Sequence, residues 1–270
     1  MTIETDNAQR DLLSGRKLNI WSHTYRIRSH EVTPGERLSI PAIFHFMQDG
    51  ASSHAKTLGL SVDQLMQKGF TWVLSRLMLA ILAPLPRWEE CIKMQTWPSG
   101  NKGPFALRDF LFKNNEGRTV AVAVSGWLVI DISTRKPQRI ETFNEMLHPI
   151  KGYHAISPNL DKIPPCQQSN DYQRQFAVRR RDLDVNEHVN NVSYMEWILE
   201  TMPDAILSQK ELKKISLNFI GEAKRNDHVL SVAEAVKTEQ KSRKSVYLHR
   251  IVHQSDPHEL LRAKSEWEQS

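Results

Sequence analysis

Apolar and polar positions alternate from Tyr25 to Val32, a period that predicts a strand, and the turn residues Thr33-Pro34-Gly35 close it. The period then lengthens. Ile43, Phe46, Met47 and Ala51 recur at helical spacing after Ser39-Ile40-Pro41, where Ser39 suits an N-cap and Pro41 a first turn, and Gly59 ends the run. Strand-like runs follow at Thr71–Ile81, Glu90–Trp97, Phe105–Lys113 and Thr119–Ile130, the last two joined by a hairpin turn at Asn114-Asn115-Glu116-Gly117.

The same order then repeats. A strand is predicted at Gln175–Arg180, a helix at Val192–Thr201 with Pro203 helping to end it, and strands at Ser216–Ile220, Val229–Val236, Val246–His253 and Leu260–Glu268. Ala123-Val-Ser125-Gly-Trp127 recurs as Ala263-Lys-Ser265-Glu-Trp267, 140 residues later, near the end of each series. Two copies of strand, long helix and four strands predict an α+β architecture, with one antiparallel sheet wrapped around a central helix in each half. The expected divisions are a short N-terminal extension (1–19), a first unit (20–140), a proline-bearing linker (141–170) and a second unit (171–270).

Composition narrows the function class. Across 270 residues, 40% hydrophobic and 25% charged content describes an ordinary globular chain. The longest apolar stretches are interrupted by Arg76 and Pro84, far short of the ~20 residues a membrane span needs. Glu4, Asp6 and Asp11 leave no apolar core for a secretory leader, and two cysteines, Cys91 and Cys166, make neither a disulfide framework nor a metal cluster. A cytoplasmic setting with reduced thiols is expected. The net charge of +5 is compatible with any acidic partner or anionic substrate; with no nucleic-acid-binding motif, nucleic acid is not expected.

One segment carries candidate chemistry: Asp182-Leu-Asp184-Val-Asn186-Glu-His188-Val-Asn190-Asn191, in the loop before the second predicted helix. A carboxylate, an amide and an imidazole at alternate positions next to a helix start can orient, donate to and deprotonate a reacting group, with helix-start N–H groups available to an oxyanion. Asn190 or Asn191 is expected to cap the helix.

This segment closely resembles the acyl-acyl-carrier-protein thioesterases, double hot-dog enzymes of plastids and bacteria. The resemblance continues at Tyr25-Arg-Ile-Arg28-Ser-His-Glu-Val32, Trp72-Val-Leu-Ser-Arg76, Pro86-Arg-Trp88-Glu-Glu, Leu107-Arg108-Asp109-Phe and Ser125-Gly-Trp127, so it spans nearly the whole chain. It implies a tandem double hot dog that hydrolyses fatty acyl thioesters of acyl carrier protein without a cofactor or metal, as a monomer or homodimer. The alternatives are an acyl-CoA thioesterase of the same superfamily and a non-catalytic acyl-thioester sensor.

By position, the family's catalytic aspartate, asparagine and histidine match Asp184, Asn186 and His188. Its Glu-Cys pair falls at Glu222-Ala223, so the glutamate is present and the thiol is not. The resemblance therefore points to activated water rather than a cysteine nucleophile, with Glu222 and His188 activating it. Asn186 would hold the carbonyl, while Asp184 either positions its neighbours or acts on water itself. The first unit lacks the motif and would supply the acyl-tail pocket, with Phe44, Met47, Trp72, Leu74 and Met78 as candidate linings. Arg179, Arg180 and Arg181 are candidates for binding the phosphopantetheine phosphate or the acidic carrier.

Overall fold

The structure is a computed structural model that describes residues 19–166, 172–236, 244–256 and 258–269. The expected N-terminal extension lies, except for Asn19, outside the described residues. The chain forms two compact units that meet in sequence at Leu160 and Asp161.

In the first unit, β1 (Trp21–Arg26) is followed by the long α1 (Ile40–Thr57) and the short α2 (Val62–Met66). Four strands come next: β2 (Phe70–Ile81), β3 (Cys91–Lys102), β4 (Phe105–Lys113) and β5 (Thr119–Asp131). All neighbours pair antiparallel, in the order β1-β3-β4-β5-β2. A short helix, α3 (Asn144–Leu147), follows.

The second unit repeats this plan with β6 (Tyr172–Ala177), α4 (Asn191–Thr201), α5 (Asp204–Gln209), β7 (Lys210–Phe219), β8 (His228–Val236), β9 (Lys244–His253) and β10 (Glu259–Gln269). Its antiparallel order, β6-β8-β9-β10-β7, matches the first unit strand for strand. This is the α+β double hot dog.

Each long helix begins where the sequence places its cap. Ser39 accepts a hydrogen bond from the Ala42 N–H at 3.3 Å, and the Asn190 side chain accepts from Val192 N–H at 3.0 Å. Helix α1 buries Ala42, Ile43, Phe44, Phe46, Met47, Gly50, Ala51 and His54 and turns a polar stripe of His45, Gln48, Asp49 and Ser52 to solvent. Leu58 closes it, and Gly59 follows at φ +72°, a conformation in which a Cβ would be strained. The recurring Ala-x-Ser-x-Trp motif has one geometry in both copies: Trp127 Nε1 donates to Ser125 Oγ, and Trp267 Nε1 to Ser265 Oγ, each at 2.8 Å.

Strand expectations are corrected at several ends: β7 begins at Lys210 rather than Ser216, and β3 runs on to Lys102 rather than stopping at Trp97. β1 stops at Arg26 rather than reaching Val32, and β6 stops at Ala177 rather than Arg180. In each case a 3₁₀ turn follows, Ser29–Glu31 and Arg180–Asp182, closed by a carboxylate that takes a backbone donor. Glu31 accepts from Arg28 N–H, and Asp182 from Arg179 N–H, both at 2.7 Å. Within the expected linker, residues before 161 pack on the first unit. Phe143 and Leu147 join Leu60, Leu65 and Val129 in a core cluster, and the Asp109 carboxylate accepts from Ala155 N–H at 2.7 Å. After the division, Ile163 N–H donates to Asn218 Oδ1 in the second unit.

Candidate active site

The loop between β6 and α4 is tied into a knot by Asp184. Its Oδ1 accepts from the backbone N–H groups of Asn186 (2.8 Å) and His188 (3.2 Å), while its own N–H donates to His188 C=O (2.8 Å). Glu187 completes the reversal at φ +62°. Asp184 Oδ2 is 3.5 Å from Asn186 Nδ2, so this carboxylate holds the loop that carries both the amide and the imidazole.

Glu222 approaches from the segment after β7. Val189 N–H donates to Ala223 C=O at 3.0 Å, and His188 and Lys224 form an isolated antiparallel bridge. This pairing sets Glu222 Oε2 3.7 Å from His188 Nδ1, within ion-pair range but outside direct hydrogen-bond length. Both side chains are partly open to solvent, at 34% for His188 and 51% for Glu222. An imidazole beside a carboxylate, both partly exposed, with an amide on the same knotted loop, is an arrangement that can activate water and bind a carbonyl. Asp184, Asn186, His188 and Glu222 are thus brought together.

The helix-start amides are largely committed elsewhere. Asn190 N–H donates to Asp182 C=O, Val192 N–H to the Asn190 side chain and Ser193 N–H to Asn190 C=O. Asn186 is therefore the better-placed donor for an oxyanion.

The arginine run divides. Asp182, 1% exposed, receives Arg179 through its N–H (2.7 Å), Nε (3.1 Å) and Nη2 (2.9 Å). Arg179 is thereby engaged in holding the loop, its guanidinium stabilised in the charged form by that carboxylate. Arg180 and Arg181 stay exposed, with Arg181 Nε 3.9 Å from Asp182.

The five candidate lining residues fall at several places in the first unit. Phe44 and Met47 are buried on α1, and Trp72 joins the cluster around Leu60 and donates from Nε1 to Leu60 C=O at 2.9 Å. Leu74 pairs with Trp127 on the same sheet face as Trp72. Met78 packs with Leu107, Val124 and Leu160 on the other face. A bulge between Leu74 and Arg76 shifts the alternation by one residue, so Leu77 and Leu79 continue the face that Trp72 and Leu74 begin. Nothing in the periodicity of Trp72-Val-Leu-Ser-Arg76-Leu-Met78 marks that extra residue.

The counterpart of the β6–α4 loop in the first unit is Thr33–Leu38. Glu36 sits at φ +60°, Val32 bridges Leu38, Arg37 bridges Arg87, and Leu38 N–H donates to Pro86 C=O at 2.9 Å. Contact for contact, Thr33, Gly35, Arg37 and Leu85 occupy the places of Asp184, Asn186, His188 and Glu222. Sequence reading missed this match because the two loops share backbone shape and almost no side chains.

Among the described residues no group of three or more His, Cys, Asp or Glu side chains is placed to hold a metal ion. No described helix is long and apolar enough to cross a membrane.

Family models match both units: the acyl-ACP thioesterase N-terminal domain over residues 19–150 and the C-terminal domain over residues 166–269. A palmitoyl-acyl carrier protein thioesterase of Arabidopsis thaliana, chloroplastic by its name, is 30% identical over 92% of this chain and 64% of its own length. The chain spans about 61 to 64% of the first three plant relatives it matches. Among solved structures, the 12:0-ACP thioesterase of Umbellularia californica aligns with TM-score 0.83 at 26% identity, covering 95% of this chain and 100% of that one. An acyl-ACP thioesterase from Bacteroides thetaiotaomicron aligns at 0.76 and 21% identity, covering 93% and 98%. Sequence models over both halves and the shared double hot dog agree, and the chain belongs to the acyl-ACP thioesterase family.

Proposed function

We propose that this protein hydrolyses fatty acyl-acyl-carrier-protein thioesters to free fatty acid and carrier protein. The observation that carries this reading is His188 Nδ1 lying 3.7 Å from Glu222 Oε2, beside the loop that Asp184 ties and Asn186 occupies. In the proposed reaction a water held between His188 and Glu222 loses a proton to one of them as it attacks the thioester carbonyl. The Asn186 amide donates to the developing oxyanion, and collapse of the tetrahedral intermediate expels the pantetheine thiolate, which takes up a proton. Asp184 maintains the loop. Ala223, fully buried, has no side-chain nucleophile to offer, which supports direct attack by water. Arg180 and Arg181 are the exposed cations we assign to the acidic carrier or its phosphate. Phe44, Met47, Trp72 and Leu74 are assigned to the acyl tail, and the protein to the cytoplasm.

The test is release of free fatty acid from dodecanoyl-, palmitoyl- and oleoyl-carrier protein, set against the matching CoA esters. His188→Ala and Glu222→Gln are each expected to lower kcat by roughly 10²- to 10⁴-fold while leaving the folded state intact. Higher kcat/KM on the CoA esters would favour an acyl-CoA thioesterase, and binding without turnover a sensor. Near-normal turnover in both variants would sink the mechanism.

A further inference from the structure

The two loops are built alike, so any contact found only in the unit that carries the candidate chemistry is informative. One such contact lies behind Glu222. Ala223 N–H donates to Tyr194 Oη at 3.0 Å, with both residues buried: Ala223 is 0% and Tyr194 2% exposed. Tyr194 is the fourth residue after the Asn190 cap, and the residue at the same place after the Ser39 cap is Ile43. Ala223, whose C=O accepts from Val189 N–H, corresponds to Pro86, whose C=O accepts from Leu38 N–H. The first unit thus keeps the carbonyl half of the arrangement and lacks both members of the other half: proline has no N–H and isoleucine has no hydroxyl.

We propose that Tyr194 is a positioning residue for the candidate site, fixing the Glu222–Ala223 peptide so that the Glu222 carboxylate faces His188. The inference rests on the thioesterase reading for its kinetic consequence and on geometry alone for its structural one. Two hydrogen bonds fix Ala223, one donated to its C=O by a backbone N–H and one donated by its own N–H to the Tyr194 hydroxyl. Val189, next to His188, grips Ala223 C=O, and Tyr194 grips Ala223 N–H. With both made, the peptide before Ala223 cannot rotate, and rotation there would swing Glu222 away from the imidazole.

The phenol is itself held. Its ring meets Trp197 edge-on with centroids 5.3 Å apart and Phe219 at 6.2 Å. Burial, opposed by the Ala223 N–H and aided by the Glu222 and Asp227 charges, pushes the hydroxyl's pKa well above the ordinary tyrosine value, so it remains a neutral group. Its part is geometric; no proton transfer is assigned to it.

The experiment uses the full chain and two readouts. Tyr194→Phe keeps the aromatic contacts and deletes the hydroxyl. On acyl-carrier protein it is expected to lower kcat about tenfold with KM within twofold, because substrate binding is untouched and only the reacting pair is loosened. In a Glu222→Gln background the same substitution should lower kcat less than twofold, since the group it positions is already gone. An unchanged kcat in Tyr194→Phe, or an equal loss in both backgrounds, overturns the proposal.

The second readout needs no turnover. The ¹⁵N-labelled His188 ring resonances of the folded Tyr194→Phe variant should shift from those of the parent chain. Unmoved resonances overturn the positioning role whatever the kinetics. A parent chain that hydrolyses no acyl thioester refutes the thioesterase reading and leaves the ring resonances to decide the positioning.

Discussion

Gly50 shows how little room a single position in α1 has. A Cβ there would sit 2.1 Å from Met94 Cε and 2.8 Å from Trp21 Cζ3, so a side chain at this point forces the buried Met94 terminus and the Trp21 ring to move. Gly50→Ala is therefore expected to destabilise the protein by about 1–3 kcal/mol despite the better helix propensity of alanine, read as a lower urea midpoint. Other single residues mattered through what they lack. Ala223 removes a thiol yet keeps an N–H, and Pro86 at the matching position removes even that. Asp184, Asn186 and His188 were legible as candidates because their motif is specific and contiguous, whereas Glu222, far along the chain, was reached only through the resemblance. Tyr194 was not legible, since a tyrosine among apolar helix positions reads as packing until its hydroxyl is found against a backbone amide.

At the scale of elements, capping decides where each long helix starts. Asn190→Ala and Ser39→Ala are each expected to cost about 1 kcal/mol, measured by chemical denaturation. The asparagine variant should also lose turnover because its loop bears His188. Helix starts, the Phe105–Lys113 strand and the hairpin at Asn114–Gly117 were all readable, because each has a local signal: a cap, an alternation or a turn residue. In that hairpin Asn114 Oδ1 accepts from Glu116 and Arg118 N–H groups, and Gly117 adopts φ +76°. Strand ends were less readable. Alternation runs on past Arg26 and Ala177, but carboxylates three residues beyond Arg28 and Arg179 capture those residues' N–H groups and turn the backbone. The β2 bulge is invisible for a related reason: an extra residue changes the facing of Met78 without altering composition.

Across the whole molecule, two buried histidines set an acid limit to stability. Burial, with Arg108 adding to it, lowers the His54 pKa to about 4, and its neutral Nδ1 accepts from Arg108 Nη1 at 3.1 Å. Burial alone lowers His249 to about 3, where Nε2 lies 2.7 Å from Ser265 Oγ. Both are neutral in the fold, whereas in the unfolded chain both take up protons near pH 6.5. Between those values the unfolded state binds more protons, so stability is complete above about pH 6.5 and falls as pH drops toward 4 and then 3. Denaturation midpoints across pH 5 to 6.5 should follow this slope, and His249→Gln should reduce it by roughly half.

The Arg28–Glu31 and Arg179–Asp182 clamps close loops of one shape, and only the second loop carries His188 of the proposed site. The protein therefore contains its own reference measurement. Breaking the first clamp reports what such a clamp contributes to folding, and breaking the second reports folding and turnover together. The difference isolates the share of the loop's rigidity that serves chemistry, with no second protein needed for comparison.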